Sequence, residues 1–275
     1  MNSTAVLIQA HNNHKYIYEL AKKNYDTYFY IHIDLKNDLS FNYLNNNKLP
    51  NIFLIKNRIS VYWGGVSQIN ATLLLLREAH KNKNIYYFHL MSGECFPVKS
   101  FKEIETEWDN HKDDNFIESY IRPDNEWRVR TWIPFANTKY LRTIIGRITS
   151  RLLRYVSYLV TTSGNNHPVY FGSQWFSINR TLVTSIIDID DNTLFFRNYK
   201  QTVCSDEHAF QTCVRLYNLS NIKNKNNRYI NFKPKSSSPN YLTRDEIKKI
   251  IKTNNYWFIR KVNELDMLYF LHGNI

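Results

Sequence analysis

Short apolar runs, each followed by a stretch of helical periodicity, fill the first 120 residues and leave few alternatives for the fold. The runs are Ala5–Ala10, Tyr28–Ile33, Ile52–Ile55, Ile85–Met91 and Phe116–Ile117, with Val169–Ile178 as a later one. Several are apolar almost throughout, as expected of strands covered on both faces. Between them Lys15–Lys23, Gln68–Lys81 and Phe101–Trp108 read as helices. Ser67, after Gly64-Gly65, is the expected cap of the second, and Phe101, Ile104 and Trp108 fall at i, i+3 and i+7 in the third. This alternation predicts an α/β fold with a mostly parallel central sheet flanked by helices. With 275 residues, 43% of them hydrophobic, the chain is large enough for one sizeable core, so residues 1–275 are expected to form a single domain.

Lys and Arg total 36 against 24 acids, a net charge of +12 that favours an anionic partner: nucleic acid, nucleotide phosphate or an acidic membrane surface. The basic residues concentrate in 139–161, where Lys139, Arg142, Arg147, Arg151 and Arg154 alternate with Leu141, Ile144, Ile145, Ile148, Leu152, Leu153 and Val156 without an acid between them. This is a basic amphipathic helical insertion of about residues 137–162. It either packs on the core as a surface helix or lies on an anionic bilayer. Cations on an apolar-faced helix, rather than among exposed aromatics, and the lack of a recognised motif argue against nucleic acid. Residues 218–227 read as an exposed loop and Ser236-Ser237-Ser238-Pro239-Asn240 as a turn, followed by a final helix with Thr243 and Glu246 in a capping box. Cys95, Cys204 and Cys213 are odd in number and lack C-x-x-C spacing, so they are expected to be reduced thiols rather than a disulfide framework or zinc site. Met1-Asn2-Ser3-Thr4 runs straight into Ala5–Ile8 with no basic leader, and no run of about 18 apolar residues occurs, which predicts a cytoplasmic protein. It would sit on the inner face of the cytoplasmic membrane if the 139–161 helix meets lipid.

Ser205-Asp206-Glu207 places two carboxylates at a helix start, with Phe210, Cys213, Val214 and Tyr217 continuing as its buried face. The acids either complement the helix dipole or supply a general base, since a positioned carboxylate that takes a hydroxyl proton contributes about 10²–10⁴-fold. Arg260-Lys261, after the aromatic run Tyr256-Trp257-Phe258, is either solvated surface or a clamp for the charge that grows on a diphosphate leaving group. Arg228, before Tyr229–Phe232, is a weaker candidate for the same task. Asp188-Ile189-Asp190 is the one Asp-x-Asp match, but it follows a helical run and precedes a loop, where such acids usually end helices, so no metal site is expected. His11 and Asp34 both follow predicted strands, where ligands sit in open α/β sheets. Trp63-Gly64-Gly65 joins a strand region to a helix, allowing close approach of a ligand or merely a tight turn. Its spacing fits neither a Walker loop nor G-x-G-x-x-G.

Taken together, Ala5–His11, His32-Ile33-Asp34, Trp63-Gly64-Gly65-x-Ser67, Leu90–Pro97, Phe171–Phe176, Ser205-Asp206-Glu207, Ser238-Pro239 and Phe258–Lys261 give the chain its family likeness. From about residue 5 to about 265 it resembles a bacterial member of the core-2/I-branching enzyme family, which also contains the peptide O-xylosyltransferases. The resemblance implies a GT-A-like fold and an inverting, metal-independent transfer from a UDP-sugar, with no further cofactor. It implies Glu207 as base and Lys261 with an upstream Arg as diphosphate ligands. His11, Asp34 and Trp63 would then be donor contacts, and Glu118, Arg128, Arg130 and Trp175 acceptor contacts. The xylosyltransferases carry an Asp where this chain has Gln174, an amide that makes a poor proton acceptor. N-acetylglucosamine is therefore the expected sugar, with an oligosaccharide or lipid-linked glycan of bacterial surface polysaccharide or lipo-oligosaccharide synthesis as acceptor and a β-linked product.

Overall fold

The computed structural model describes residues 3–160, 167–233, 236 and 238–273. Its first half alternates strictly: β1 (Thr4–Ala10), α1 (His14–Lys23), β2 (Tyr28–Ile33), α2 (Asp38–Asn46), β3 (Ile52–Leu54), α3 (Val66–His80) and β4 (Tyr87–Ser92). β1 lies parallel between β2 and β4, with β3 parallel on the far side of β2. Every residue of β1 is buried, because helices cover both sides of it. Val6 and Ile8 enter the core shared with Tyr16, Ile17 and Leu20 of α1, whereas Ala5 and Leu7 enter the one shared with Ile69, Leu73 and Leu76 of α3. Strand geometry dictates this division, since successive side chains point to opposite faces.

The second half adds β5 (Cys95–Pro97), α4 (Phe101–Asp109), β6 (Asn115–Phe116), β7 (Tyr120–Ile121), α5 (Pro123–Arg130), α6 (Ile144–Val160) and β8 (Tyr170–Phe171). β9 (Ser177–Asn179), α7 (Arg180–Thr193), α8 (Ala209–Leu216), β10 (Ile222–Lys223), β11 (Arg228–Ile230), α9 (Arg244–Thr253), β12 (Phe258–Arg260) and α10 (Glu264–Leu271) complete it. β9 runs antiparallel between β4 and β6, giving a seven-stranded sheet in the order β10-β6-β9-β4-β1-β2-β3. A second sheet has the order β11-β12-β5, and β7 pairs with β8. The mixed, mostly parallel α/β architecture is the one the strand and helix alternation predicts.

Several local expectations need correction. Val169–Ile178 is two short strands rather than one, because Tyr170–Phe171 pairs with β7 while β9 pairs with β4 and β6 in the larger sheet; between them Gly172 lies so close to Glu118 that a Cβ there would be 2.1 Å from the Glu118 carbonyl oxygen. α3 begins at Val66 with Gly65 as its cap, and Ser67 instead accepts a hydrogen bond from the Tyr62 amide through its hydroxyl at 2.8 Å. Residues 222–223 of the expected loop pair with β6. The Thr243–Glu246 capping box forms as expected, and Ser100 makes another with Glu103 at the start of α4. Of the predicted 137–162 insertion, residues 161 and 162 lie outside the described residues, as does Ser237 of the predicted turn.

The two larger sheets are tied by Arg228. Its guanidinium is buried, stacks 4.8 Å over Phe258, and donates to the carbonyls of Leu90 at 3.0 Å and Phe176 at 2.8 Å, to the Ser177 hydroxyl at 3.1 Å and to the Asn226 carbonyl. Replacing Arg228 with Met should strand these buried acceptors and cost about 2–4 kcal/mol in urea unfolding; a loss below about 0.5 kcal/mol would show that the tie is dispensable.

Candidate active site

The carboxyl ends of β1, β2 and β4 open into one cleft of about 1640 Å³, the position at which open α/β sheets bind ligands. Gln9 and His11 reach it from the end of β1, Asp34 from the end of β2, and Ser92, Gly93 and Glu94 from the end of β4. The β7–β8 ribbon, the end of α5 and the second sheet build the remaining walls.

On the second-sheet side, β12 delivers Arg260 and Lys261, which are joined by a cis peptide bond. Both turn toward the buried carboxylate of Glu94, with Lys261 Nζ 3.0 Å and an Arg260 terminal nitrogen 3.6 Å from Glu94 Oε2, while the Tyr241 hydroxyl donates to Oε1. Burial by itself would raise the Glu94 carboxyl, but the Tyr241 hydrogen bond and the two cations prevail and hold it below the usual carboxylate range. Arg260 also donates to the Ser92 hydroxyl and stacks 4.9 Å from Trp175. The two cations therefore stand in fixed positions with one carboxylate between them, leaving net positive charge toward the cleft.

Asp206 and Glu207 lie in a 3₁₀ turn, Ser205–Glu207, that follows Cys204 in the left-handed region at φ 50°. α8 begins only at Ala209, so the carboxylates are not first-turn residues of an α-helix; Phe210, Cys213 and Val214 form its buried face as expected, but Tyr217 lies past the helix end and is exposed. Arg128, from the end of α5, donates to Glu207 Oε2 at 2.6 Å, while the Gly172 amide donates to the Glu207 carbonyl at 3.0 Å. The Glu207 side chain keeps 33% of its surface exposed. Burial raises its carboxyl above the usual range, against the opposing pull of Arg128. Asp206 is pushed up to about 8, first by burial and then by the adjacent Glu207 charge, and its Oδ1 has no partner.

Gln174 lies on the cleft wall in a chain of amides. It accepts from Gln68 Nε2 at 3.0 Å and donates to Gln9 Oε1 at 3.2 Å, and Gln9 in turn donates to the Thr72 hydroxyl. Asp34 accepts from the Lys36 amide at 3.0 Å and from Lys36 Nζ at 2.7 Å. Trp63 is half exposed at the rim, with the Arg142 guanidinium 5.4 Å from its ring.

A family model described as "Branch: Core-2/I-Branching enzyme" matches residues 11–256. The chain belongs to the core-2/I-branching enzyme family. A mouse relative, "Beta-1,3-galactosyl-O-glycosyl-glycoprotein beta-1,6-N-acetylglucosaminyltransferase 4", is 27% identical over 203 residues, covering 70% of this chain and 42% of that protein. The human "N-acetyllactosaminide beta-1,6-N-acetylglucosaminyl-transferase" is 24% identical over 169 residues, 61% of this chain and 40% of that protein. The "Xylosyltransferase oxt" of Drosophila pseudoobscura pseudoobscura is 30% identical over 97 residues, 34% of this chain and 11% of that protein. The chain thus spans about two-fifths of the length of the first two.

In this core-2/I-branching family member, His11, Asp34, Trp63, Glu118, Arg128, Trp175, Glu207, Arg228, Arg260 and Lys261 all line the one cleft. Arg130 does not: it pairs with Glu126 one turn earlier at 2.8 Å and donates to the His167 carbonyl at 3.0 Å. Arg228 reaches the cleft wall, with its terminal nitrogens engaged by backbone carbonyls and Ser177 and its Nε without a partner. Trp175 lies beneath Arg260 on the clamp side, and Glu118 Oε2 accepts from the Ser173 amide at 3.0 Å. Asp190 sits on α7, away from the cleft, paired with Arg77 at 2.8 Å. Sequence reasoning gave Glu94 and Tyr241 no task; the available signal was a carboxylate two residues beyond the carboxyl end of a parallel strand.

A neutral Asp206 in the fold and an ionised one in the unfolded chain make stability fall as pH rises from about 4, the ordinary aspartate value, towards about 8. Asp206→Asn should remove that loss, so its melting temperature should exceed the parent's by more at pH 8 than at pH 5. An equal difference at both would place an ionised Asp206 in the fold.

Proposed function

We propose that this chain is an inverting glycosyltransferase that moves N-acetylglucosamine from a UDP-sugar to a hydroxyl of a glycan acceptor without a metal ion. The observation that carries the reading is that a raised carboxyl, Glu207, and a fixed cation pair, Arg260-Lys261, stand on the walls of the same cleft. A sugar hydroxyl is a weak nucleophile, and a carboxylate with a raised pKa is a better match for its proton than an ordinary one. Glu207 takes that proton as the hydroxyl oxygen bonds to the anomeric carbon. The bond from that carbon to the UDP oxygen breaks on the opposite face, and its electron pair leaves with the diphosphate. Arg260 and Lys261 stabilise the charge that develops there, the contribution a divalent cation makes in metal-dependent transferases. Attack opposite the leaving group on an α-linked donor gives a β-linkage.

Membership of the core-2/I-branching enzyme family supports a glycan acceptor, and the printed names of the mouse and human relatives support N-acetylglucosamine as the sugar. The amide at Gln174 supports the same choice over xylose, since both of its polar atoms are engaged with Gln9 and Gln68. We read His11, Asp34 and Trp63, grouped at the ends of β1 and β2 and on the following loop, as the donor side of the cleft. Glu118 and Arg128, beside Glu207, form the acceptor side. Arg128 thus acts on the base as well as on the acceptor. The setting we read is synthesis of bacterial surface polysaccharide or lipo-oligosaccharide in the cytoplasm.

Glu207→Gln should lower turnover by about 10² or more while leaving donor affinity nearly intact; near-normal turnover would remove Glu207 from the role. In a thermal-shift screen of UDP-sugars, UDP-N-acetylglucosamine should raise the melting temperature most, and EDTA should change neither that shift nor the rate. Activity lost to EDTA and restored by Mn²⁺ would overturn the metal-free mechanism, and a larger shift with UDP-xylose would reassign the sugar.

A further inference from the structure

The helix α6 presents an apolar face that nothing among the described residues covers. Ile144, Ile145, Ile148, Leu152, Tyr155 and Val156 are between 52% and 73% exposed, and at 3.6 residues per turn they fall within an arc of about 120°. Arg147, Arg151 and Arg154 line one edge of that arc, while Gly146, Ser150 and Leu153 turn inward, where Leu153 packs against the small cluster around Ile133 and Leu141. No Asp or Glu occurs between Glu126 and Asp188, so this surface carries cations without local compensation. Arg154 stacks 4.6 Å from Trp127, but Arg147 and Arg151 form no ion pair with a described residue. No helix among the described residues is long and apolar enough to cross a membrane. A strongly amphipathic helix with an Arg border belongs instead in the plane of an interface, its apolar side among acyl chains and its cations at anionic headgroups.

We propose that α6 docks this chain on an anionic lipid bilayer and so brings the cleft to acceptors anchored in that bilayer. The docking rests on α6 alone; only the choice of a lipid-anchored acceptor rests on the transferase reading above. The link between the two is direct in the chain. Thr138, Lys139 and Arg142 line the cleft immediately before α6 begins, and α5, which carries Arg128 to Glu207, supplies the Trp127 ring on which Arg154 stacks. A membrane under α6 therefore borders the wall that holds the proposed base, where a glycan joined to a lipid would enter with its anchor still in the bilayer.

The test is co-sedimentation of the full chain, with no donor or acceptor present, with phosphatidylcholine vesicles containing or lacking phosphatidylglycerol. Binding should need phosphatidylglycerol and weaken as salt is raised. Leu152→Ser combined with Ile148→Ser should reduce it at least ten-fold, and Arg147→Ser or Arg151→Ser by about five-fold each. All of these positions are exposed, so the melting temperature should stay within about 3 °C of the parent's. Equal binding by parent and Ser variants, or no binding to phosphatidylglycerol vesicles, would overturn the proposal. So would a dimer by light scattering that Leu152→Ser dissociates while vesicle binding is absent, since a second copy would then be the occupant. Because no sugar transfer is measured, these outcomes stand apart from those that would overturn the transferase reading.

Discussion

The placement of the candidate site depends on one buried cation. Burying a guanidinium is costly unless most of its donors are matched, and Arg228 matches its terminal nitrogens with carbonyls of Leu90, Phe176 and Asn226 and the hydroxyl of Ser177, leaving only Nε without a partner. Those partners come from the end of β4, the approach to β9 and the turn before β11, so the cation fixes the second sheet against the first. β12 pairs in parallel with β11 and antiparallel with β5. Once β11 is held, β12 is held, and Arg260 and Lys261 come to rest against Glu94. The cation that holds the second sheet in place is thus itself part of the cleft wall that carries Arg260 and Lys261.

Glu94 and Glu207, two of the cleft's paired carboxylates, show how environment divides a single chemical group into two kinds. Glu94 is the more enclosed, yet three donors surround it and keep it charged. Glu207 has one ion-pair partner, Arg128, and burial outweighs the pull of Arg128 and Arg122, so its carboxyl rises. Separation of this sort is how a site obtains a permanent anion and a proton acceptor from the same side chain.

What the sequence revealed, and what it did not, follows from the range of each interaction. The first-half strands, the helices α1, α3 and α4 and the Thr243–Glu246 capping box rest on neighbours within a few residues and can be read from spacing. The amphipathic helix within 139–161 was legible for the same reason, although Ile144, Ile145, Ile148, Leu152 and Val156 face away from the core while Leu141 and Leu153 pack into it. α2, α5 and α10 were not anticipated, because helices of only eight or nine residues take their stability from tertiary packing more than from local pattern. The separation of β8 from β9 depends on β7, about fifty positions earlier, and the Arg128–Glu207 pair spans 79 positions. The Glu94 to Tyr241 bond spans 147. Local pattern contains no trace of such contacts, so the chemistry-bearing residue types could be nominated from sequence while their pairings could not.

The Arg128 to Glu207 ion pair also bears on what the cleft does when no acceptor is present. A carboxylate that is free in a solvent-filled pocket can activate water as readily as a sugar hydroxyl, and a loaded donor would then be hydrolysed to no purpose. Here one carboxylate oxygen is already occupied by a guanidinium at 2.6 Å. On the proposed reading, a lone water makes too few contacts to displace that cation, whereas a glycan brings the binding energy of a whole ring. The ion pair would then act as a tariff on nucleophiles, spending part of the acceptor's binding energy to keep the donor intact until the correct hydroxyl arrives.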